Sequence, residues 1–310
     1  MSDRRPPPPS VVTVGTFDGV HRGHRAVLER LADRAAQSGL RSVLVTFDPH
    51  PLEVVNPAAA PPLLTVGLEK TEVLVESPID HVVVLPFTPA LAALTAERFV
   101  DEILVARVGM RELLIGHDHG FGRGRGGNVE VLRTLAQSRG FTVGVIPPVG
   151  VDDGPAISST AIRRAIAGGD LARAAEGLGR PYAISGVVRA GDGRGRTLGF
   201  RTINLGPPAP RKLLPPEGVY AVRVQTPRGT FGGMMNLGGR PTFGDDALQI
   251  EAHLFEAEVD LYGATVRVDL LDRLRGTQRF ASPAALVAQL GRDAVAARAV
   301  LAAHREVLTS

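Results

Sequence analysis

Five short runs in the first half of the chain are apolar at nearly every position rather than at every second one. They are Val11–Val14, Ser42–Phe47, His81–Phe87, Glu112–Gly116 and Thr142–Val149. A strand with one wet face alternates, whereas a strand covered on both faces reads as a continuous apolar run. Helical patterns fall between the runs, at Arg25–Ser38, Thr95–Val105 and Val129–Arg139. This alternation predicts an α/β, Rossmann-like fold, a parallel sheet with helices on both faces. Ligands of such sheets lie at the carboxyl ends of the strands. The loops after Val14, Phe47, Ile115 and Val149 are therefore expected to share one crevice.

The texture changes near Gly179-Arg180-Pro181-Tyr182. Before it lie two alanine-rich helical segments, Ala161–Gly169 and Leu171–Leu178; after it come alternating strands and tight turns. Gly218–Gln225 and Thr230–Leu237, joined through Thr226-Pro227-Arg228-Gly229, read as a hairpin. Leu248–Leu254 and Ala264–Leu271 are further strands, and a helix runs from Pro283 to about Val307. The second half is thus expected to be a small antiparallel β-barrel with a C-terminal helix. A boundary at about Tyr182 gives domains of residues 1–181 and 182–310, and 310 residues suit two domains.

The crevice loops carry the chemistry. Val14 runs into Gly15-Thr16-Phe17-Asp18-Gly19-Val20-His21-Arg22-Gly23-His24. The chain has only two lysines, Lys70 and Lys212, and neither follows a glycine loop, so a P-loop is excluded. The loop also lacks the G-x-G-x-x-G dinucleotide fingerprint. What remains is His21-Arg22-Gly23-His24: two imidazoles three apart, on one side of a helical turn. Placed at a helix start, they suit a bound phosphate and the charge that builds on a departing pyrophosphate. The second loop reads Asp48-Pro49-His50-Pro51, and the fourth Gly116-His117-Asp118-His119-Gly120-Phe121-Gly122. His-Asp-His on a loop lacks the spacing of zinc motifs. After the fifth strand come Ser158-Ser159-Thr160-Ala161-Ile162-Arg163, in which a hydroxyl caps the next helix and Arg163 adds a charge for phosphate.

Composition closes off other classes. There is no cysteine, which excludes disulfides, thiolate nucleophiles and Cys-based metal sites. The opening MSDRRPPPPS has no apolar core of a leader, and no apolar run approaches the length of a membrane helix. A cytoplasmic protein with no membrane partner is the expectation. The 35 basic residues against 32 acidic give a net charge of +3, too small to argue for nucleic acid. Gly120–Asn128 superficially resembles an RGG segment but is one short loop without aromatic repeats. No nucleic-acid partner is expected, and nothing in the sequence specifies an oligomer.

The barrel half holds a second group. Thr202 and Asn204 are two apart on an extended segment that follows the glycine loop Gly195–Gly199, so both side chains share a face and offer oxygen to a hard cation. Asn236-Leu237-Gly238-Gly239-Arg240-Pro241-Thr242-Phe243 is another polar glycine turn. Glu251 interrupts a mostly apolar strand, where a carboxylate is costly without a partner or a task. It could take a proton from a substrate hydroxyl during phosphoryl transfer, or simply face outward from the strand.

In order and spacing these motifs, with Thr46–Pro51, Pro216–Ala221 and Leu261-Tyr262-Gly263, make the chain similar end to end to the bacterial bifunctional riboflavin kinase/FMN adenylyltransferase (FAD synthetase) family. The resemblance implies an α/β nucleotidyltransferase followed by a riboflavin kinase barrel. The barrel would phosphorylate riboflavin with ATP to FMN, and the first domain would adenylylate FMN with ATP to FAD, releasing pyrophosphate. Mg²⁺ would accompany ATP, the flavins being substrate and product. His21 and His24 would serve adenylyl transfer, with Glu251 the kinase base and Thr202 and Asn204 the metal-binding pair. The nucleotide- and flavin-binding set implied by the motifs is Gly15, Phe17, Asp18, Gly19, Asp118, Phe121, Gly122, Ser159, Thr160, Arg163, Gly195, Gly199, Thr202, Asn204 and Asn236. The chain departs from the family pattern at Arg201, where Pro is usual, and at His119, where Phe is usual. Two rival readings are an adenylyltransferase acting on another acceptor, with the barrel a binding module, and an RNA-binding protein using the Arg-rich loop.

Overall fold

The computed structural model describes residues 6–116, 122, 126–147, 157–191, 200–239 and 248–309. They divide into two compact units at Ser159/Thr160, and each is built around its own sheet.

In the first unit β1 (Ser10–Val14), β2 (Arg41–Asp48), β3 (His81–Pro86), β4 (Met110–Gly116) and β5 (Thr142–Ile146) form a wholly parallel sheet in the order β3-β2-β1-β4-β5. In the central strands β1 and β2 the strand period of two explains the continuous apolar runs, since successive residues enter different cores, whereas the edge strand β3 is largely exposed. Val12, Val14, Val43 and Val45 pack with Phe99, Ile103, Leu104 and Leu132 on one face. Val11 and Leu44 pack with Leu28, Leu31, Val73 and Leu74 on the other. The helices are α1 (Arg22–Ser38), the short α2 (Pro51–Val55), α3 (Leu68–Val75), α4 (Pro89–Ala92), α5 (Ala96–Arg98) and α6 (Val129–Arg139). The single helix expected over Thr95–Val105 is instead the brief α5 running on as a π-helical stretch, Phe99–Val105. Its wider turn brings Phe99, Val100, Ile103 and Leu104 to the sheet together.

The division falls after the first residue of α7 (Ser159–Ala167); the second unit continues through α8 (Leu171–Leu178), and Leu171 enters the barrel core. Strands β6 (Tyr182–Arg189), β7 (Thr202–Leu205), β8 (Gly218–Thr226), β9 (Gly229–Gly238), β10 (Gln249–Leu254) and β11 (Thr265–Arg275) close into a barrel in the order β10-β7-β6-β11-β8-β9. Pairing of Thr226 with Gly229 leaves Pro227-Arg228 as the hairpin loop expected between β8 and β9. Tyr220, Val222, Met235, Leu237, Ile250 and Ala252 fill the interior. Val219, Ala221 and Met234, on the opposite side of the same strands, pack with Ala297 of α9 (Pro283–Thr309).

A buried ion pair ties α9 to the barrel. Asp293, only 3% exposed, accepts three hydrogen bonds from Arg275 at 2.8–3.1 Å and one from Gln289 at 2.8 Å. Removing one member of a buried pair leaves the other charge uncompensated. Asp293→Ala should therefore cost about 3 kcal/mol in urea denaturation. The double change Arg275→Met with Asp293→Leu should cost less than Asp293→Ala alone, and an equal or greater loss would refute this account.

Candidate active sites

Winding reverses between β1 and β4, the topological switch point at which open α/β sheets bind ligands. The loop leaving β1 there is tightly wound: Phe17, Gly19 and Val20 have φ of 47°, 80° and 39°. A Cβ on Gly15 would lie 2.9 Å from the Phe17 ring, so the strand can turn beneath that ring only without a side chain at position 15. Asp18 is 4% exposed, and its carboxylate accepts from the Leu64 amide at 3.0 Å and the Thr65 amide at 3.1 Å. The Gly19 amide donates to Thr65 Oγ1 at 3.1 Å. Asp18, expected among the ligand-binding residues, thus holds the loop to the segment ahead of α3. Its carbonyl oxygen accepts from Ser159 Oγ at 3.0 Å.

Helix α1 begins three residues before the predicted Arg25, because His21 is itself the N-cap: its Nδ1 accepts from the His24 amide at 3.2 Å. That cap brings the two imidazoles together, stacked at 3.6 Å with 13° between planes, and Phe17 lies 4.6 Å from His24. His21 is buried; His24 is half-buried, and its Nδ1 is buried without a hydrogen-bond partner among the described residues. Burial, then the neighbouring His21 and Lys70, hold the His24 pKa well below the usual 6.5. At neutral pH it is an uncharged imidazole, with one N–H to donate and one lone pair to accept.

Lys70, on α3, is a residue the sequence reading passed over. Its ammonium reaches the Thr16 carbonyl, Thr46 Oγ1 at 2.6 Å and the Phe47 carbonyl at 3.5 Å. Burial lowers its pKa from 10.5 to about 8, against the opposing pull of Asp18 and Asp48. Keeping it charged at neutral pH costs about 3 kcal/mol of stability, regained as pH rises from about 8 toward 10.5. His50 caps α2, accepting from the Leu52 amide at 3.2 Å while Glu53 accepts from the His50 amide at 3.0 Å. Gly122, at φ 75°, approaches Ala96 so closely that a Cβ would lie 2.9 Å from its nitrogen. Asp118 and Phe121 lie outside the described residues. Thr160 and Arg163 follow Ser159 on α7 and fall within the second unit.

In the barrel, strand register sets a second group in rows. Glu251 of β10 stands opposite Asn204 of β7 and opposite Asn236 of β9, while His253 stands opposite Thr202 and Met234. The residues between them, Ile203, Ala252 and Met235, belong to the interior core. The polar row is therefore on the outer face, where Glu251, Thr202 and Asn204 are half-buried and Asn236 is exposed. His253, whose role the sequence reading missed, joins its Nδ1 to the Arg201 carbonyl at 2.7 Å and meets Phe200 and Phe255 edge-on at 5.2 and 5.6 Å. A Cβ on Gly191 would overlap the Asn204 amide, so the backbone passes directly against that side chain. Gly195 and Gly199 lie outside the described residues.

Two family models match the chain: FAD synthetase over residues 3–161 and riboflavin kinase over residues 178–301. The bifunctional riboflavin kinase/FMN adenylyltransferase of Escherichia coli K12 is 41% identical over 292 residues, covering 93% of this chain and 91% of its own length. The chain belongs to the bifunctional riboflavin kinase/FMN adenylyltransferases. It is a kinase and nucleotidyltransferase of flavin biosynthesis, making FMN and FAD. The family member from Pseudomonas fluorescens is 40% identical over 298 residues, 95% of this chain and 94% of that one. A crystal structure of a macrolide-efflux protein from Streptococcus pneumoniae superposes with a TM-score of 0.82 at 32% identity, covering 94% of each chain. Among the described residues here, no helix is long and apolar enough to cross a membrane.

The depressed His24 pKa has a measurable sign. As pH falls below 6.5 the unfolded chain binds a proton at His24 that the folded chain resists, so stability is lost on acidification. Between pH 7 and pH 5 the melting temperature of the native chain should fall more steeply than that of His24→Gln. Parallel slopes would contradict a neutral, buried His24.

Proposed function

We propose that residues 1–181 carry the adenylyl transfer and residues 182–310 the kinase step, with ATP the donor in both. The FAD synthetase model, residues 3–161, lies within the first range, and the riboflavin kinase model, residues 178–301, starts four residues before the second, which supports a division near that position. A phosphate oxygen of FMN attacks the α-phosphorus of ATP, the bond to the β-phosphate oxygen breaks, and pyrophosphate leaves. The chain's task is to hold two polyanions in line and stabilise the charge that develops. The stacked pair His21–His24 is the observation that carries this reading: a neutral His24 whose Nδ1 has no partner among the described residues, at the switch point of the sheet, is a ready hydrogen-bonding partner for phosphate. Ser159, Thr160 and Arg163 at the start of α7 are proposed to hold ATP phosphates, by the helix N-terminus and a guanidinium.

In the kinase step the ribityl 5′-hydroxyl of riboflavin attacks the γ-phosphorus, its proton passes to the Glu251 carboxylate, and ADP leaves. The Thr202 hydroxyl, the Asn204 amide oxygen and a nearby carboxylate are hard oxygen donors on one face of the barrel. Such a set suits Mg²⁺ held mainly through nucleotide phosphates, with Thr202 and Asn204 as its protein contacts. When bound, the ion neutralises charge on the transferring phosphates. Asn236, across from Glu251, is proposed to orient the carboxylate or the flavin. ATP and flavin supply make the cytoplasm the place for both steps.

The two sites should separate by mutation. With riboflavin, ATP and Mg²⁺ followed by HPLC, Glu251→Gln should abolish FMN formation yet convert supplied FMN to FAD. His24→Ala should do the reverse, slowing FAD formation on the order of 10²–10³-fold. Equal loss of both steps in either variant contradicts two independent centres, and absence of FMN and FAD with the native chain contradicts the function itself.

A further inference from the structure

The chain places arginine at all but two of its 35 basic positions, so a lysine that persists in a buried place invites a physical reason. Lys70 is such a residue. Its Nζ lies within reach of three acceptors from two different strand ends: the Thr16 carbonyl after β1, the Thr46 hydroxyl on β2 and the Phe47 carbonyl on β2. An ammonium carries three donors that diverge from one atom, matching three neutral acceptors gathered about a point. A planar guanidinium spreads its donors along a fork and cannot serve that cluster without displacing one strand end. The Thr46 hydroxyl also lies 3.1 Å from the Thr16 carbonyl, to which it donates, so ammonium, hydroxyl and carbonyl close a small network between the strands.

We infer that Lys70 is a positioning residue for adenylyl transfer: its ammonium fastens the loop that carries Phe17, Asp18 and the histidine pair to the end of β2. The inference rests on the assignment of that reaction to His21 and His24. The charged and titratable groups around the ammonium are Asp18 from the β1 loop, Asp48 from the end of β2, and His24 from α1 beside its stacked partner His21. Glu69, its neighbour on α3, accepts from the Val66 amide. Because the three donors are matched by the three acceptors, Lys70 acts through the loop rather than on the substrate. Its charge adds to the positive field at the phosphate site and favours an uncharged His24. Deprotonation removes one of the three donors and loosens the fastening, which makes adenylyl transfer sensitive to pH near 8.

The test uses the full-length chain and follows FMN-to-FAD and riboflavin-to-FMN conversion separately, the kinase step being the internal control. Lys70→Met, which keeps the stem and removes donors and charge, should lower kcat/KM for FAD formation on the order of 10–100-fold with FMN formation unchanged. In the native chain kcat/KM for FAD formation should fall as pH rises through about 8, and this alkaline limb should vanish in Lys70→Met. Lys70→Arg, which stays charged but spreads its donors, should also be slower and should lack the limb. Native rates in Lys70→Met, equal loss of both steps, or an unchanged limb in Lys70→Arg each overturn the proposal. Should Lys70→Met fail to fold, the pH profile of Lys70→Arg decides alone. If His24→Ala leaves FAD formation intact, the assignment of the site has failed; if His24→Ala abolishes it and Lys70→Met does not, only the role of Lys70 has.

Discussion

The Asp18 carboxylate accepts hydrogen bonds from the amides of Leu64 and Thr65, residues 46 and 47 positions away. The first site depends on that contact. Phe17 and Val20 sit at positive φ, a strain of order 1–3 kcal/mol for each residue with a side chain. Hydrogen bonds to a buried carboxylate are individually of the same order, about 1.5–3 kcal/mol. The loop is therefore held by a tertiary contact rather than by its own preferences. Without it the chain has no reason to double under Phe17, and His21 has no fixed place from which to cap α1. Local strain, a buried carboxylate and an imidazole nitrogen with no partner among the described residues lie within one short segment, where a fold devoted only to stability would place none of them.

The two centres solve phosphate chemistry with opposite materials. On the proposed assignment the first sets an uncharged His24, stacked on His21, and a buried ammonium at the mouth of a parallel sheet, where positive potential suits a nucleotide. The second lines up a carboxylate between two amides on the outside of a barrel, where oxygen donors suit a metal and a proton acceptor suits a hydroxyl. The outer face is a physical requirement for Glu251. Its strand neighbours Ile250 and Ala252 fill the barrel interior, and a carboxylate among them would be desolvated without partners.

Much of this was legible in the sequence for a simple reason. Strands buried on both faces advertise themselves as unbroken apolar runs, and the β8–β9 hairpin shows its turn chemistry directly. The start of α1 was hidden because His21-Arg22-Gly23-His24 has no apolar residue to mark the helical period, and a histidine cap is not a common start signal. Strand β6 was obscured by Gly186 and by a register set only by its partners β7 and β11. The π-helical turn arises from packing against the sheet, which no local pattern specifies. Asp18 is expected among the ligand-binding residues because it stands inside a motif, whereas its structural partners Leu64 and Thr65 are remote in sequence and appear only when the segment ahead of α3 is in place. Lys70 left one trace, its being a lysine in a chain of arginines, and that trace means nothing until burial is known.

The second lysine sharpens that point. Lys212 is 7% exposed and lies 4.4 Å from the centre of the Tyr182 ring, whose hydroxyl donates to the Leu213 carbonyl at 2.6 Å. Both lysines are thus enclosed, while arginine takes the exposed ion pairs such as Arg98 with Glu102 and Arg298 with Glu256. An arginine-rich composition makes the basic charge of the surface insensitive to pH, since guanidinium keeps its charge throughout the range a protein meets. Lysine is confined to places where a compact cation must fit between backbone carbonyls or over a ring. Once enclosed, an ammonium becomes a group whose charge its surroundings control. The choice between the two basic residues is therefore structural information, and in the first unit it marks the joint between the end of β2 and the β1 loop that leads to the histidine pair.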